Sequence, residues 1–170
     1  MALLDDHPPM ELNDPGWVMH TQSADRPPVR FEAGCRLERS LVANGCRVEG
    51  EVVRSVLFPG VSVAAGALVR DSIVMHDTHI GEHVVLDRVI LDKEVQIGRG
   101  ARLGFGEDRT PNRACPEHLA SGITLVGKGA RLPEQLTVGR NVRIGAGVLE
   151  RDITEDIVSG GVIHGPEPEH

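Results

Sequence analysis

Apolar residues in this chain recur at intervals that suit neither a helix nor a flat strand. Between Val56 and Leu103 they fall into three columns with a 17-residue period: Leu57, Val74 and Leu91; Val63, Ile80 and Ile97; Val69, Leu86 and Leu103. Within a block the steps are 6, 6 and 5. The residue four places after each column member tends to be small or β-branched, as in Val61, Ala67, Ile73, Thr78, Val84, Ile90, Val95 and Ala101. A helix would need an apolar period near 3.6, and a half-buried strand a period of 2. A coil with three short flat sides, each closed by a corner, accounts for the steps. One circuit of it brings like residues above like, about 4.8 Å higher. Gly81 and Gly98 directly follow column residues, where the chain must bend and a Cβ is unwelcome. Hexapeptide repeats of this kind predict an all-β chain wound as a parallel β-helix.

The pattern assigns residues 31–165 to the coil. Its first circuits pass through Phe31, Leu37, Val42, Val48 and Val53, and the short step from Val53 to Leu57 predicts an irregular corner there. After Leu103 the columns stop. GFGEDRTPNRACPEHLASG, residues 104–122, is rich in Pro, Gly and charge and predicts a loop ejected from one corner. The coil resumes at Ile123, with Val126, Leu132, Val138 and Ile144 in steps of six. The circuit from Val148 to Ile163 is weaker, and GPEPEH predicts a frayed end. Residues 1–30 carry five prolines and no period, so they read as an extended linker, with Trp17 packed on the side or end of the coil.

Composition agrees with a narrow interior. Aromatic residues are 2% and Tyr is absent, as expected where Val, Ile, Leu and Ala fill a thin triangular core. The net charge of −7 argues against a duplex or membrane-surface binder held by electrostatics. No apolar run approaches the roughly 18 residues of a membrane span, and the N-terminus has no signal pattern. Cys35, Cys46 and Cys115 lack zinc-ligand spacing. Cys35 and Cys46 each follow a column-like residue by four places, so they read as small buried thiols in a reducing cytoplasm.

Candidate chemistry is sparse. GFGEDR at 104–109 matches a glycine-rich phosphate cradle on paper, but no helical pattern follows it, and such a cradle needs a strand before and a helix after. GITLVGKG at 122–129 nearly matches a P-loop, but Gly129 stands where Ser or Thr would hold Mg²⁺. His76, His79, His83 and His118 are the candidates for a general base or a metal ligand. His79 and His83 flank Ile80 at outward positions with no second set a circuit away, so solvated surface histidines are the better reading. Lys93 follows Leu91 by two residues and Lys128 follows Val126 by two, the same place in each hexad. If the loop is ejected, the two lysines come to neighbouring circuits of one face. There they could hold an anion, phosphate above all, with Arg99 or Arg102 nearby. The plainer alternative is a solvated charged face.

These residues carry a family resemblance. LLDDHPPMELNDPGWVMHTQSADRPPVRF resembles the segment that joins the catalytic domain of glucose-1-phosphate adenylyltransferases to their C-terminal β-helix. SLVANGCRVEGEVVRSVLFPGV, VRDSIVM and VILDKEVQIGRGARL resemble the first circuits of that helix, and SGITLVGKGARL resembles the run after its loop. The similarity covers about residues 3 to 148 and implies the left-handed form of the helix, an exception to the usual right-handed crossover. It implies a regulatory and oligomerisation domain, with the ATP- and Mg-dependent catalytic half absent and no cofactor of its own. It also implies a homo-oligomer, a phosphorylated sugar metabolite as effector, and Lys93 and Lys128 as effector-binding residues. Two alternatives remain open on sequence: a stand-alone hexapeptide acyltransferase, and a non-catalytic assembly scaffold.

Overall fold

A computed structural model describes Gly16 and residues 25–166; most of the expected linker, Trp17 included, and the last four residues lie outside the described set. The chain forms short parallel strands in three sheets. Side A stacks β1 (Arg30–Phe31), β4 (Arg47–Val48), β7 (Ser62–Val63), β10 (His79–Ile80), β13 (Gln96–Ile97) and β16 (Arg131–Leu132). Side B stacks β2 (Arg36–Glu38), β5 (Glu51–Val53), β8 (Leu68–Arg70), β11 (Val85–Asp87), β14 (Arg102–Leu103) and β17 (Thr137–Val138). Side C stacks β3 (Leu41–Val42), β6 (Val56–Leu57), β9 (Ile73–Val74), β12 (Val89–Leu91), β15 (Thr124–Val126), β18 (Arg143–Ile144) and β19 (Val162–Ile163). Each strand pairs with the strand one circuit away, so the architecture is a parallel β-helix of the hexapeptide-repeat kind.

The columns are the registers. Leu57 pairs with Val74 and Val74 with Leu91, and the other two columns stack in the same way. All nine of these side chains are at most 2% exposed. Burying one such side chain contributes roughly 1.5–3 kcal/mol. An exposed ion pair contributes about 0–1 kcal/mol. The columns therefore hold the coil, and the charged ladders along its edges refine it.

Corners are made by residues in the left-handed region. On the corner from side C to side A these are Gly45, Gly60, Asp77, Glu94, Gly129 and Gly147; from A to B, Gly34, Gly66, His83, Gly100 and Gln135. From B to C they are Arg39, Arg54, Asp71, Arg88 and, above the loop, Asn141. Gly81 and Gly98 have a different task. Neither has a positive φ, but a Cβ on Gly81 would sit 2.7 Å from the Ile97 carbonyl oxygen and one on Gly98 2.5 Å from the Glu134 nitrogen. They are needed for close stacking of circuits, and the left-handed turn comes two residues later.

Three expectations need correction. The column residue on side B is Val52, which is fully buried and pairs with Leu37 and Val69; Val53 is only half-buried. The shortened step thus lies between Val48 and Val52, where a Cβ on Gly50 would strike the Ala67 carbonyl. On side C the buried corner residue is one place earlier than the apolar pattern suggests. Ser55, Ser72 and Val89 are fully buried there, whereas Ile73 and Ile90 face outward. The serines form a ladder: the Ser55 amide donates to Ser40 Oγ at 3.1 Å, the Ser72 amide to Ser55 Oγ at 3.1 Å, and the Val89 amide to Ser72 Oγ at 3.1 Å. Each hydroxyl satisfies an amide that the corner leaves without a strand partner. Finally, Cys46 is buried and its thiol pKa is raised by that burial, but Cys35 is only half-buried; both are free thiols.

Residues 104–123 contain no strand, and the segment packs back onto the coil. Asn112 is fully buried and Leu119 is 6% exposed. Asn112 Nδ2 donates to the carbonyls of Asn141 at 2.8 Å and Gly161 at 3.0 Å, while its Oδ1 accepts from the amides of Ala114 and Cys115. The last circuit is irregular. It holds a 3-10 turn at Glu150–Asp152, an isolated bridge from Val138 to Ile157, and β19.

The sides differ in what they show to solvent. Side A presents Arg30, Arg47, Ser62, His79, Gln96 and Arg131. Side C presents Leu41, Val56, Ile73, Ile90 and Leu125 in one line. At the N-terminal end Phe31 is 50% exposed and Leu41 44%. None of the described helices is long and apolar enough to cross a membrane.

Candidate functional site

Lys93 and Lys128 come to the same corner. Lys93 lies between β12 and β13 and Lys128 between β15 and β16, each on the turn from side C to side A. Pairing of Leu91 with Val126 sets the two turns one above the other, and the Gly129 amide donates to the Lys93 carbonyl at 2.9 Å. The Lys93 turn is fixed by its own amide donating to Asp92 Oδ1 at 2.8 Å. Both lysines are exposed. Lys128 Nζ sits 3.5 Å from Glu94 Oε1, with both groups more than half exposed. A pair so placed is screened by water and contributes little.

The two arginines stand elsewhere. Arg99 lies on the turn from side A to side B, with its Nε 3.7 Å from Glu82. Arg102 is in β14 on side B, its guanidinium 5.0 Å from the centre of the Phe105 ring. The coil thus gathers the two lysines and separates Arg99 and Arg102 from them.

The histidines are scattered. His79 Nδ1 is 2.6 Å from Ser62 Oγ on the solvent side of side A, and among the described hydrogen bonds no carboxylate completes a catalytic arrangement. His83 forms a corner at φ 57° and is exposed, and His118 is exposed in the loop. His76 is half-buried with its ring against Phe58, 5.2 Å between centres, and its Nδ1 has no partner. Among the described residues no group of three His, Cys, Asp or Glu side chains could hold a metal ion.

A second basic cluster, which spacing did not single out, sits at the foot of the loop. Arg140 is 8% exposed. Its Nε donates to the Gly106 carbonyl at 2.6 Å and its Nη2 to Asp87 Oδ2 at 2.9 Å. Arg70 Nη2 donates to the same Asp87 oxygen at 3.1 Å. Asn141, on the adjoining corner, donates to the carbonyls of Arg109 and Thr110 and accepts from the Gly122 amide at 2.6 Å. These partners lie 17 to 53 residues apart, so no local motif announces them. The one sequence signal is that the strict sixes above the loop place polar Arg140 and Asn141 between Val138 and Ile144.

Residues 28–126 match the family described as GlmU-like, C-terminal hexapeptide, and the chain belongs to that family. Within it, the chain is similar to curated glucose-1-phosphate adenylyltransferases. The protein of that name from Thermomicrobium roseum is 51% identical over 95% of this chain and 38% of its own length. That from Acetivibrio thermocellus is 40% identical over 85% of this chain and 34% of its own length. The chain therefore spans little more than a third of these relatives. Among solved structures, the acetyltransferase domain of PglB from Neisseria gonorrhoeae is 24% identical, covering 82% of this chain and 56% of that one with a TM-score of 0.32, too low to carry an argument.

Proposed function

We propose that this chain is the regulatory and oligomerisation part of a cytoplasmic glucose-1-phosphate adenylyltransferase. Such an enzyme makes ADP-glucose and pyrophosphate from ATP and glucose-1-phosphate for glycogen or starch synthesis. The observation that carries the reading is the alignment of 95% of the chain with only 38% of a curated relative. On this reading ATP and magnesium belong to the catalytic half of the enzyme. The described residues offer no cluster suited to a metal, and no chemical step is assigned to them.

Lys93 and Lys128 are the proposed effector site. Two lysines on stacked turns of one corner would offer a phosphate two charge-assisted partners where one in water would hold it weakly. Self-association is proposed through the apolar line of side C and the open N-terminal end, where Leu41, Val56, Ile73 and Phe31 are not fully covered. The test is a titration of 3-phosphoglycerate and of fructose 1,6-bisphosphate into the wild type, Lys93→Ala and Lys128→Ala. At least one ligand should bind, and each substitution should weaken it about tenfold or more. Equal binding by all three proteins would refute the effector site. A monomeric mass at every concentration would refute the assembly role.

A further inference from the structure

The foot of the loop is an open cleft of about 350 Å³ lined by Arg70, Arg102 and Arg140 together with Asp87 and Glu107. Its charge does not balance. Asp87 is shared by Arg70 and Arg140 through a single oxygen, and among the described residues the partner of Arg102 is the Phe105 ring. Three guanidiniums thus face two carboxylates. More positive charge stands behind: Arg88 Nη1, Arg109 Nε and Arg140 Cδ all lie within 4.0 Å of the point where a Cβ on Gly122 would be.

Arg140 is the telling residue. It is 8% exposed, yet its Nη1 makes no hydrogen bond. A guanidinium carries five N–H donors, and leaving one end of a buried group unpaired costs free energy that native proteins rarely concede without use. The rest of the side chain is held in the cleft wall by Gly106 and Asp87, which leaves Nη1 buried and unpaired beside the cleft.

We propose that this cleft is a second anion site, for inorganic phosphate or a small phosphomonoester, separate from the lysine corner. The planar forks of Arg102 and Arg140 suit the oxygens of a phosphate. The cleft is large enough for a small metabolite. The site also gives GFGEDR a role. Gly104 and Gly106 adopt φ of 73° and 84° and carry the strand edge over into the cleft wall, where the Gly106 carbonyl fixes Arg140. The anion is held by guanidiniums from neighbouring circuits, not by amides at the start of a helix. The two sites lie on different parts of the triangle, Arg70 and Arg102 on side B and the lysines on the turn from C to A. One can therefore fail without the other.

Phosphorus NMR and calorimetry with inorganic phosphate and with glucose-1-phosphate on the whole chain provide the test. Arg102→Ala removes an exposed guanidinium whose described contact is the Phe105 ring, so the fold should survive. It should weaken binding of at least one of the two ligands about tenfold or more. Arg140→Lys keeps the charge and should do the same. Lys93→Ala/Lys128→Ala should leave this binding in place. Inorganic phosphate binding alone would mean a phosphate site, and preference for glucose-1-phosphate would mean a phosphosugar site. Absence of any binding, equal affinity in Arg102→Ala, or complete loss in the double lysine variant would overturn the proposal.

Discussion

The middle circuits and the foot of the loop are built on opposite plans. In the middle circuits one residue type repeats at one position: Val63, Ile80 and Ile97 are interchangeable members of a column, each buried against the next. At the loop foot nothing repeats. Asn112, Asn141, Arg140 and Asp87 each occur once in their role and are joined by hydrogen bonds across 29 to 53 residues. The first plan gives stability that is additive and local. The second gives a single polar arrangement that stands or falls together. The coil is scaffold, and unique polar contacts collect where the repeat is interrupted.

Ile80→Asp should have the largest effect. The side chain is fully buried between Val63 and Ile97 and would place a carboxylate among apolar neighbours with no partner. We expect a loss of about 4 kcal/mol or more, read as a collapse of the thermal transition. An unchanged melting temperature would mean that the column is not the core.

Asn112→Ala should cost less and act locally. It removes two donors from the Asn141 and Gly161 carbonyls and an acceptor from two loop amides. We expect about 2 kcal/mol, with proteolysis starting in residues 104–122 while the coil stays protected from hydrogen exchange. Uniform loss of protection across the coil would contradict the separation of loop from scaffold.

Acidification should have a smaller, graded effect along the edges. Arg54 donates to both oxygens of Asp71, at 2.8 and 2.6 Å, and Arg26 likewise pairs with Asp77. These guanidinium hydrogen bonds are the main cause that holds both carboxyls below their ordinary pKa. A carboxyl with a depressed folded pKa stabilises the fold above its unfolded pKa of about 3.9, and that contribution fades as pH falls through the lower folded value. Stability should therefore start to fall near pH 4 and continue downward, and Asp71→Asn should flatten part of that limb. Because the partners are partly exposed, the effect should be modest and should shrink in salt.

What the sequence made legible follows the same division. Columns are readable because a repeated step multiplies one weak signal, which is why the sequence alone shows the circuits from Val56 to Leu103. Val52 was missed because Val53 beside it is chemically identical, and the difference is set by the close approach of Gly50 to Ala67. The Ser40, Ser55 and Ser72 ladder was missed because an apolar count ignores a buried hydroxyl that serves an amide on the next circuit. Lys93 and Lys128 could be placed on one corner because both keep the same offset from a column. Arg140 could not, since its position depends on a loop whose path no periodicity describes.

The central claim is that the two lysines of one corner act together on one phosphate. It is tested most directly by isotope-labelled methylation of the lysines, followed by NMR titration with fructose 1,6-bisphosphate and 3-phosphoglycerate. The account predicts that the Lys93 and Lys128 signals move together with a single midpoint and one ligand per chain. Two different midpoints, movement of only one signal, or no movement with either ligand would contradict it.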